Sequence, residues 1–169
     1  MSGELIGELY KSNLIQRGEF KLKNGEISEY YFNMKNLISY PKLLIEVTNQ
    51  LFNLTKDIEY DLLCGVPLGG IPLACQISIK NNIPLIIPRT EKKKYGMKKQ
   101  IEGKYNKLNK CIIIEDVITT GQSVKEIIDL LENKVEIVGI ITIINRNEIE
   151  KIGKYNIKYL LSEKDIINL

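Results

Sequence analysis

Histidine is missing from all 169 residues. That absence excludes a Ser-His-Asp triad, a Cys-His dyad and any metal held by imidazole. Cysteine is nearly as scarce. Cys64, Cys75 and Cys111 are odd in number, widely spaced and form no CxxC pair, so neither a disulfide frame nor a zinc site is indicated. Small buried thiols are the expectation. No apolar run approaches the roughly 18 residues that span a bilayer. The opening MSGELIGELY carries acids where a signal peptide carries bases, which predicts a cytoplasmic protein. Internal repeats and linkers are absent, as are the Walker lysine and the GxGxxG fingerprint. Chemistry must then come from Lys, Arg, carboxylates, hydroxyls, backbone groups and any metal that a substrate brings.

What is present suits one folded domain: 44% hydrophobic and 27% charged residues in a chain of 169. The net charge of +3 is uneven. Residues 89 to 110 hold nine bases against Glu91 and Glu102, so the rest of the chain is net negative. A basic segment on a mildly acidic body points to one anionic ligand and away from a nucleic-acid surface.

Periodicity predicts an amphipathic helix over about 2–16, with Leu5, Ile6, Leu9 and Leu14 on one face. Two alternating segments then flank Asn24-Gly25, a strong hairpin signal. Ser39 and Pro41 open a second helix, running to about 54. From Tyr60 onward strands and helices alternate. Strands are predicted at 61–64, 83–87, 111–115, 135–145 and near 157–161. Helices are predicted at about 70–80 and 122–133, with a short last helix capped by Ser162. Near-continuous apolar strands between helices imply a parallel sheet covered on both faces.

The stretch IIIEDVITTGQS, residues 112–123, concentrates the chemistry. Ligands of such sheets bind at the carboxyl ends of strands. Here the strand delivers Glu115 and Asp116, and a helix begins near Gln122. A helix N-terminus offers unpaired N–H groups and a positive dipole end. Thr119, Thr120 and Ser123 add hydroxyl donors, and Gly121 lets the backbone come close. That is a phosphate cradle. Two acids beside a phosphate make sense when the ligand carries hydroxyls next to it, as a ribose 5-phosphate does. A plain strand, turn and helix cap would explain the same residues without any ligand.

The run of apolar residues, two acids and V-I-T-T-G-x-S resembles the phosphoribosyl pyrophosphate (PRPP) motif of type I phosphoribosyltransferases. FKLKNGEISEYYFN, CGVPLGGIPLA, RTEKKKYG, IEGKYN and NRNE, in that order, resemble successive segments of orotate phosphoribosyltransferases, most closely the version fused to orotidylate decarboxylase in eukaryotic UMP synthases. The resemblance covers nearly the whole chain from about Gly18. It implies a Rossmann-like α/β fold: a mostly parallel sheet with helices on both faces, as one domain over 1–169. Residues 1–40 would contribute a small hood with a β-hairpin, residues 41–169 the core, with a flexible loop at about 90–105.

It also implies roles. Glu115 and Asp116 would hold the ribose of PRPP, and Val117, Ile118, Thr119, Thr120, Gly121, Gln122 and Ser123 would wrap its 5-phosphate. Leu68 and Gly69 match the pyrophosphate loop. Arg89, Thr90, Lys93 and Tyr95 match loop positions that reach the diphosphate, with threonine and tyrosine standing where many members carry lysine and histidine. Lys23 matches a lysine shared by both substrates. Tyr31 and Phe32 match the pair that bounds orotate, Thr119 lies near it, and Arg146 matches the arginine that meets its carboxylate. Asp116 and Lys93 would be the catalytic pair. Mg²⁺ would be held mainly by the diphosphate and ribose hydroxyls rather than by protein ligands. A homodimer is implied, with the basic loop serving the neighbouring site, together with a separate orotidylate decarboxylase as a partner and no nucleic acid or membrane. A purine phosphoribosyltransferase and a non-catalytic nucleotide-binding regulator of the same fold are the alternatives. Lys23, the aromatic pair and Arg146 suit a carboxylated pyrimidine better than a purine.

Overall fold

The computed structural model describes residues 2–21, 25, 27–89 and 100–168. Helix α1 (Ser2–Lys11) is followed by strands β1 (Ile15–Lys21) and β2 (Ile27–Phe32). A 3-10 helix (Met34–Ser39) leads into α2 (Pro41–Asn53). Then come β3 (Leu62–Gly65), α3 (Gly70–Asn81), β4 (Leu85–Pro88), β5 (Ile101–Glu102) and β6 (Lys110–Ile118). The chain ends with α4 (Gln122–Leu131), β7 (Glu136–Asn145), β8 (Lys151–Ile152), β9 (Tyr155–Ser162) and α5 (Glu163–Ile167). Among the described residues, no helix is long and apolar enough to cross a membrane.

The N-terminal helix is shorter than its hydrophobic pattern predicts. Asn13 takes a left-handed conformation (φ 55°). The N–H of Asn13 donates to the carbonyl of Tyr10 (2.9 Å), and that of Leu14 donates to Leu9 (2.9 Å). These two bonds make a Schellman stop, with asparagine in the place usually held by glycine. Leu14 remains buried with Leu5, Ile6 and Leu9, but it reaches the core from the segment leading into β1. The second helix starts at Pro41, whose missing N–H costs nothing in a first turn. Ser39 ends the preceding 3-10 helix and caps nothing.

Seven strands form the main sheet in the order β5-β4-β3-β6-β7-β9-β8, and β1-β2 form a separate hairpin. The five central strands are parallel, and the short edge strands β5 and β8 run antiparallel. β5 falls within the range expected as a loop. Its Ile101 is buried and pairs with Pro88 of β4. Successive residues of the central strands face opposite layers. Leu63, Ile112, Ile114 and Ile141 pack with α1, α2, α3 and α5, while Leu62, Cys64, Cys111, Ile113 and Ile140 pack with α4. Cys64 and Cys111 are buried free thiols.

Chain order reverses between β3 and β6, because β3 leads outward to β4 while β6 returns to the other side. Loops diverge at such a point and leave a crevice. β6 also runs three residues beyond the expected end at 115, because β7 continues to pair with it through Ile118. β3 stops opposite Ile114. The last four residues of β6 therefore have a neighbour on one side only.

The last helix is short but well capped. The Ser162 hydroxyl accepts from the N–H of Asp165 (3.2 Å), and the Asp165 carboxylate accepts from the N–H of Ser162 (2.7 Å). Ser162→Ala should cost about 1 kcal/mol and lower the melting temperature by about 2–4 °C, as measured by thermal unfolding.

Candidate active site

Glu115 and Asp116 lie in the stretch of β6 that has outrun β3. Both are largely buried, at 5% and 8% exposure. They are fixed from behind: Thr142 of β7 donates its hydroxyl to the Asp116 carbonyl (3.1 Å). The Asp116 N–H donates to Glu115 Oε1 (2.9 Å). No described base forms an ion pair with either carboxylate. Burial, followed by the proximity and charge of Asp116, pushes the Glu115 carboxyl well above the usual range. The Asp116 N–H and the charge of Lys35 oppose that shift.

The floor opposite the acids is the β3–α3 turn, Gly65-Val66-Pro67-Leu68-Gly69-Gly70. A Cβ on Gly69 would sit 2.1 Å from Asp116 Cγ, and one on Gly70 would sit 2.1 Å from the Ile114 carbonyl oxygen. The turn approaches β6 this closely only because both residues lack side chains. Leu68 stands exposed above it, and the Pro67–Leu68 peptide is cis.

Beyond the acids the chain turns through Thr119 and Thr120 into α4. Gly121 is its N-cap at φ 78°, and a Cβ there would meet Ile152 at 2.7 Å. The N-cap glycine has no side chain to cap the helix, and the first N–H groups face the turn, where the Thr120 hydroxyl accepts from Gln122 at a long 3.4 Å. The Asn147 amide donates to the Thr119 carbonyl (2.7 Å) and steadies the turn. One cavity of about 720 Å³ joins this turn, the acids, Leu68, the hairpin aromatics Tyr31 and Phe32, and Arg146. All of the predicted residues Glu115, Asp116, Val117, Ile118, Thr119, Thr120, Gly121, Gln122 and Ser123 line it.

Tyr31 is exposed and stacks on Phe20 with centroids 5.4 Å apart, while Tyr30 is core. Arg146 follows the end of β7, and its N–H donates to the Ile118 carbonyl (2.9 Å). The guanidinium lies over Phe32, 5.0 Å from the ring centroid. Arg89 is not among the residues lining the cavity. Its Nε donates to Glu102 (2.7 Å) across β4 and β5. Lys23, Thr90, Lys93 and Tyr95 lie outside the described residues.

The cavity also contains Lys35, Pro67, Val124 and Glu126, which the sequence reading did not select. Lys35, a base three residues beyond the aromatic pair, carried a readable signal. Glu126, a helix acid accepting from Gln122 Nε2 (3.0 Å), carried none.

Known proteins resemble this chain in sequence and in fold. Residues 33–168 match the phosphoribosyl transferase domain family. The orotate phosphoribosyltransferase of Pyrococcus horikoshii is 37% identical over 172 residues, covering 96% of this chain and 92% of that protein. The chain belongs to the orotate phosphoribosyltransferases. Bovine uridine 5'-monophosphate synthase is 36% identical over 149 residues, which is 86% of this chain but only 31% of the bovine protein. The crystal structure of orotate phosphoribosyltransferase from Aeropyrum pernix superimposes with a TM-score of 0.85 at 25% identity, covering 97% of this chain and 96% of that one. The hairpin and mixed sheet are thus those of an orotate phosphoribosyltransferase.

Two outcomes follow from this geometry. Gly70→Ala collides with backbone and should chiefly lower stability. Gly69→Ala collides with a carboxylate, so it should displace Asp116 and cut PRPP-dependent turnover at least about tenfold with a smaller change in melting temperature. The pH dependence has a defined sign. Folded Glu115 keeps its proton to higher pH than the unfolded chain, whose value is near 4.5. Its contribution is therefore fully present below that value and is lost as pH rises through the folded pKa. Glu115→Gln abolishes this loss, so its melting temperature relative to the parent should increase between pH 4.5 and pH 8.

Proposed function

We propose that this cavity transfers ribose 5-phosphate from PRPP to N1 of orotate, giving orotidine 5'-monophosphate and pyrophosphate for pyrimidine nucleotide synthesis. The observation that carries the reading is the buried acid pair beside a helix start with glycine at its N-cap, in one cavity with Arg146 and the hairpin aromatics. The turn from Thr119 to Ser123 takes the 5-phosphate through backbone N–H and hydroxyl donors. Glu115 and Asp116 take the ribose hydroxyls. Tyr31 and Phe32 bound the pyrimidine ring, and Arg146 meets its carboxylate.

N1 of the orotate dianion supplies the electron pair that forms the new bond to C1 of the ribose. The bond from C1 to the diphosphate oxygen breaks, and its electrons leave with the pyrophosphate. No general base is needed, which agrees with a chain lacking histidine. The protein's tasks are to orient the reactants, exclude water and stabilise departing negative charge. Lys93, Arg89, Thr90 and Tyr95 serve the last task, together with Leu68 and Gly69 of the turn. Lys23 reaches both substrates. Arg89 must exchange Glu102 for the diphosphate to take part. A glycine-bearing basic loop is suited to closing over the reactants, and we assign it to the neighbouring site of a homodimer. A separate orotidylate decarboxylase would consume the product.

Among the described residues, no group of three or more Cys, Asp or Glu side chains could cage a metal. The donor set fits Mg²⁺ brought in by the diphosphate and ribose hydroxyls, with Glu115 and Asp116 as the nearest hard oxygen donors. Bound there, the ion would neutralise charge on the leaving diphosphate.

Incubation with Mg²⁺, PRPP and orotate should deplete orotate absorbance, whereas turnover with a purine alone would overturn the assignment. Asp116→Asn and Lys93→Ala should each reduce turnover by roughly two orders of magnitude or more while leaving the melting temperature near that of the parent. Near-normal turnover in Lys93→Ala would remove that residue from the mechanism.

A further inference from the structure

Arg146 has two edges that can grip a planar anion, and one of them is already taken. Its Nε donates to Glu163 Oε2 (3.1 Å), and its Nη2 donates to Glu163 Oε1 (2.6 Å). This is a two-point, side-on clamp by the first residue of α5. Nη2 also donates to the Ser28 hydroxyl of β2 (2.9 Å). That hydroxyl is itself fixed, donating to the Tyr30 carbonyl (2.8 Å). Three of the five guanidinium hydrogens are thereby assigned. No described residue accepts from Nη1, and Arg146 lines the cavity. Its side chain is 9% exposed and that of Glu163 is 19% exposed. A cation so buried requires a counter-charge, but a counter-charge alone would not dictate which edge is used.

We propose that Glu163 is a positioning residue for base recognition. By occupying the Nε–Nη2 edge it turns the Nη1 edge into the cavity, where the carboxylate of the pyrimidine is read. The inference rests on the reading of Arg146 given above. It adds that selectivity for a carboxylated base depends on α5, an element that does not line the cavity. The clamp also joins β7, the hairpin and α5 at one planar group, so that a shift in any of them re-aims Nη1. Glu163→Gln keeps the shape of the side chain but turns one of its two acceptors into a donor facing donors.

The test compares two nucleotides that differ only by the 6-carboxylate, orotidine 5'-monophosphate and uridine 5'-monophosphate, as inhibitors competing with PRPP. Glu163→Gln should weaken orotidylate inhibition by about tenfold or more, the scale of a charge-assisted hydrogen bond. It should leave uridylate inhibition within about twofold. Equal weakening of both nucleotides, or of neither, would overturn the proposal, since loss of general structure affects both. Lys164→Ala is the neighbouring control. Lys164 is exposed and pairs with Glu148 on the surface, and its removal should leave the ratio unchanged. If Glu163→Gln does not fold, Glu163→Asp carries the same comparison, with the charge kept but withdrawn by one methylene. Arg146→Ala separates the two levels of the argument. If Arg146→Ala still discriminates between the nucleotides as the parent does, the reading of Arg146 itself fails. If Arg146→Ala loses the discrimination and Glu163→Gln keeps it, only the role of Glu163 fails.

Discussion

One strand outlasting its neighbour organises the molecule. β6 continues to Ile118 with β7 as its partner, while β3 has ended opposite Ile114. Two carboxylates thus emerge along a half-paired edge. Strand pairing still holds their backbone, while their side chains face a crevice. Everything else at the site is arranged around that edge. The glycine turn comes close because it has no side chains to collide with Asp116 or Ile114. The N-cap of α4 is Gly121, which has no side chain to cap it, and the only described side chain on its first N–H groups is the Thr120 hydroxyl, at a long 3.4 Å from the Gln122 nitrogen. Arg146 emerges one residue beyond the last rung shared by β6 and β7. Neither acid has an ion-pair partner among the described residues, and burial and the neighbouring Asp116 push the Glu115 carboxyl up.

Much of the fold could be read from residue order because local signals agreed with global ones. The alternation from Tyr60 onward, the apolar strands and the start of α4 all matched. The misreadings have specific causes. Leu14 fits the helical face of α1 by spacing, but Asn13 tolerates a left-handed turn and ends the helix first. β6 was expected to stop at its acids because charged residues usually mark a strand's exit from the core. Pairing with β7 overrides that rule, since these acids are buried by a neighbouring turn rather than solvated. β5 and β8 have two residues each, too few to display any periodicity.

The site was legible where its residues are contiguous. Nine consecutive residues of the β6–α4 connection line the cavity as expected. It was less legible where it depends on distant residues meeting. Nothing about Glu163 in the sequence announces that it faces Arg146, because a glutamate after a serine cap reads as an ordinary first-turn acid. Arg89 likewise reads as one of nine bases, and only the pairing of β4 with β5 brings Glu102 against it.

The division of labour within the cavity has a consequence for divergence. In the proposed reading the sugar phosphate is held by sheet and turn, where a side chain at Gly69 or Gly70 would collide with β6. The base, in that reading, meets the hairpin, a two-stranded sheet of its own, and an arginine braced by the final helix. These pieces lie apart from the β6–α4 connection in the chain. Descendants of such a scaffold could acquire new nucleobases by remodelling the rim, while the ribose end stays constant.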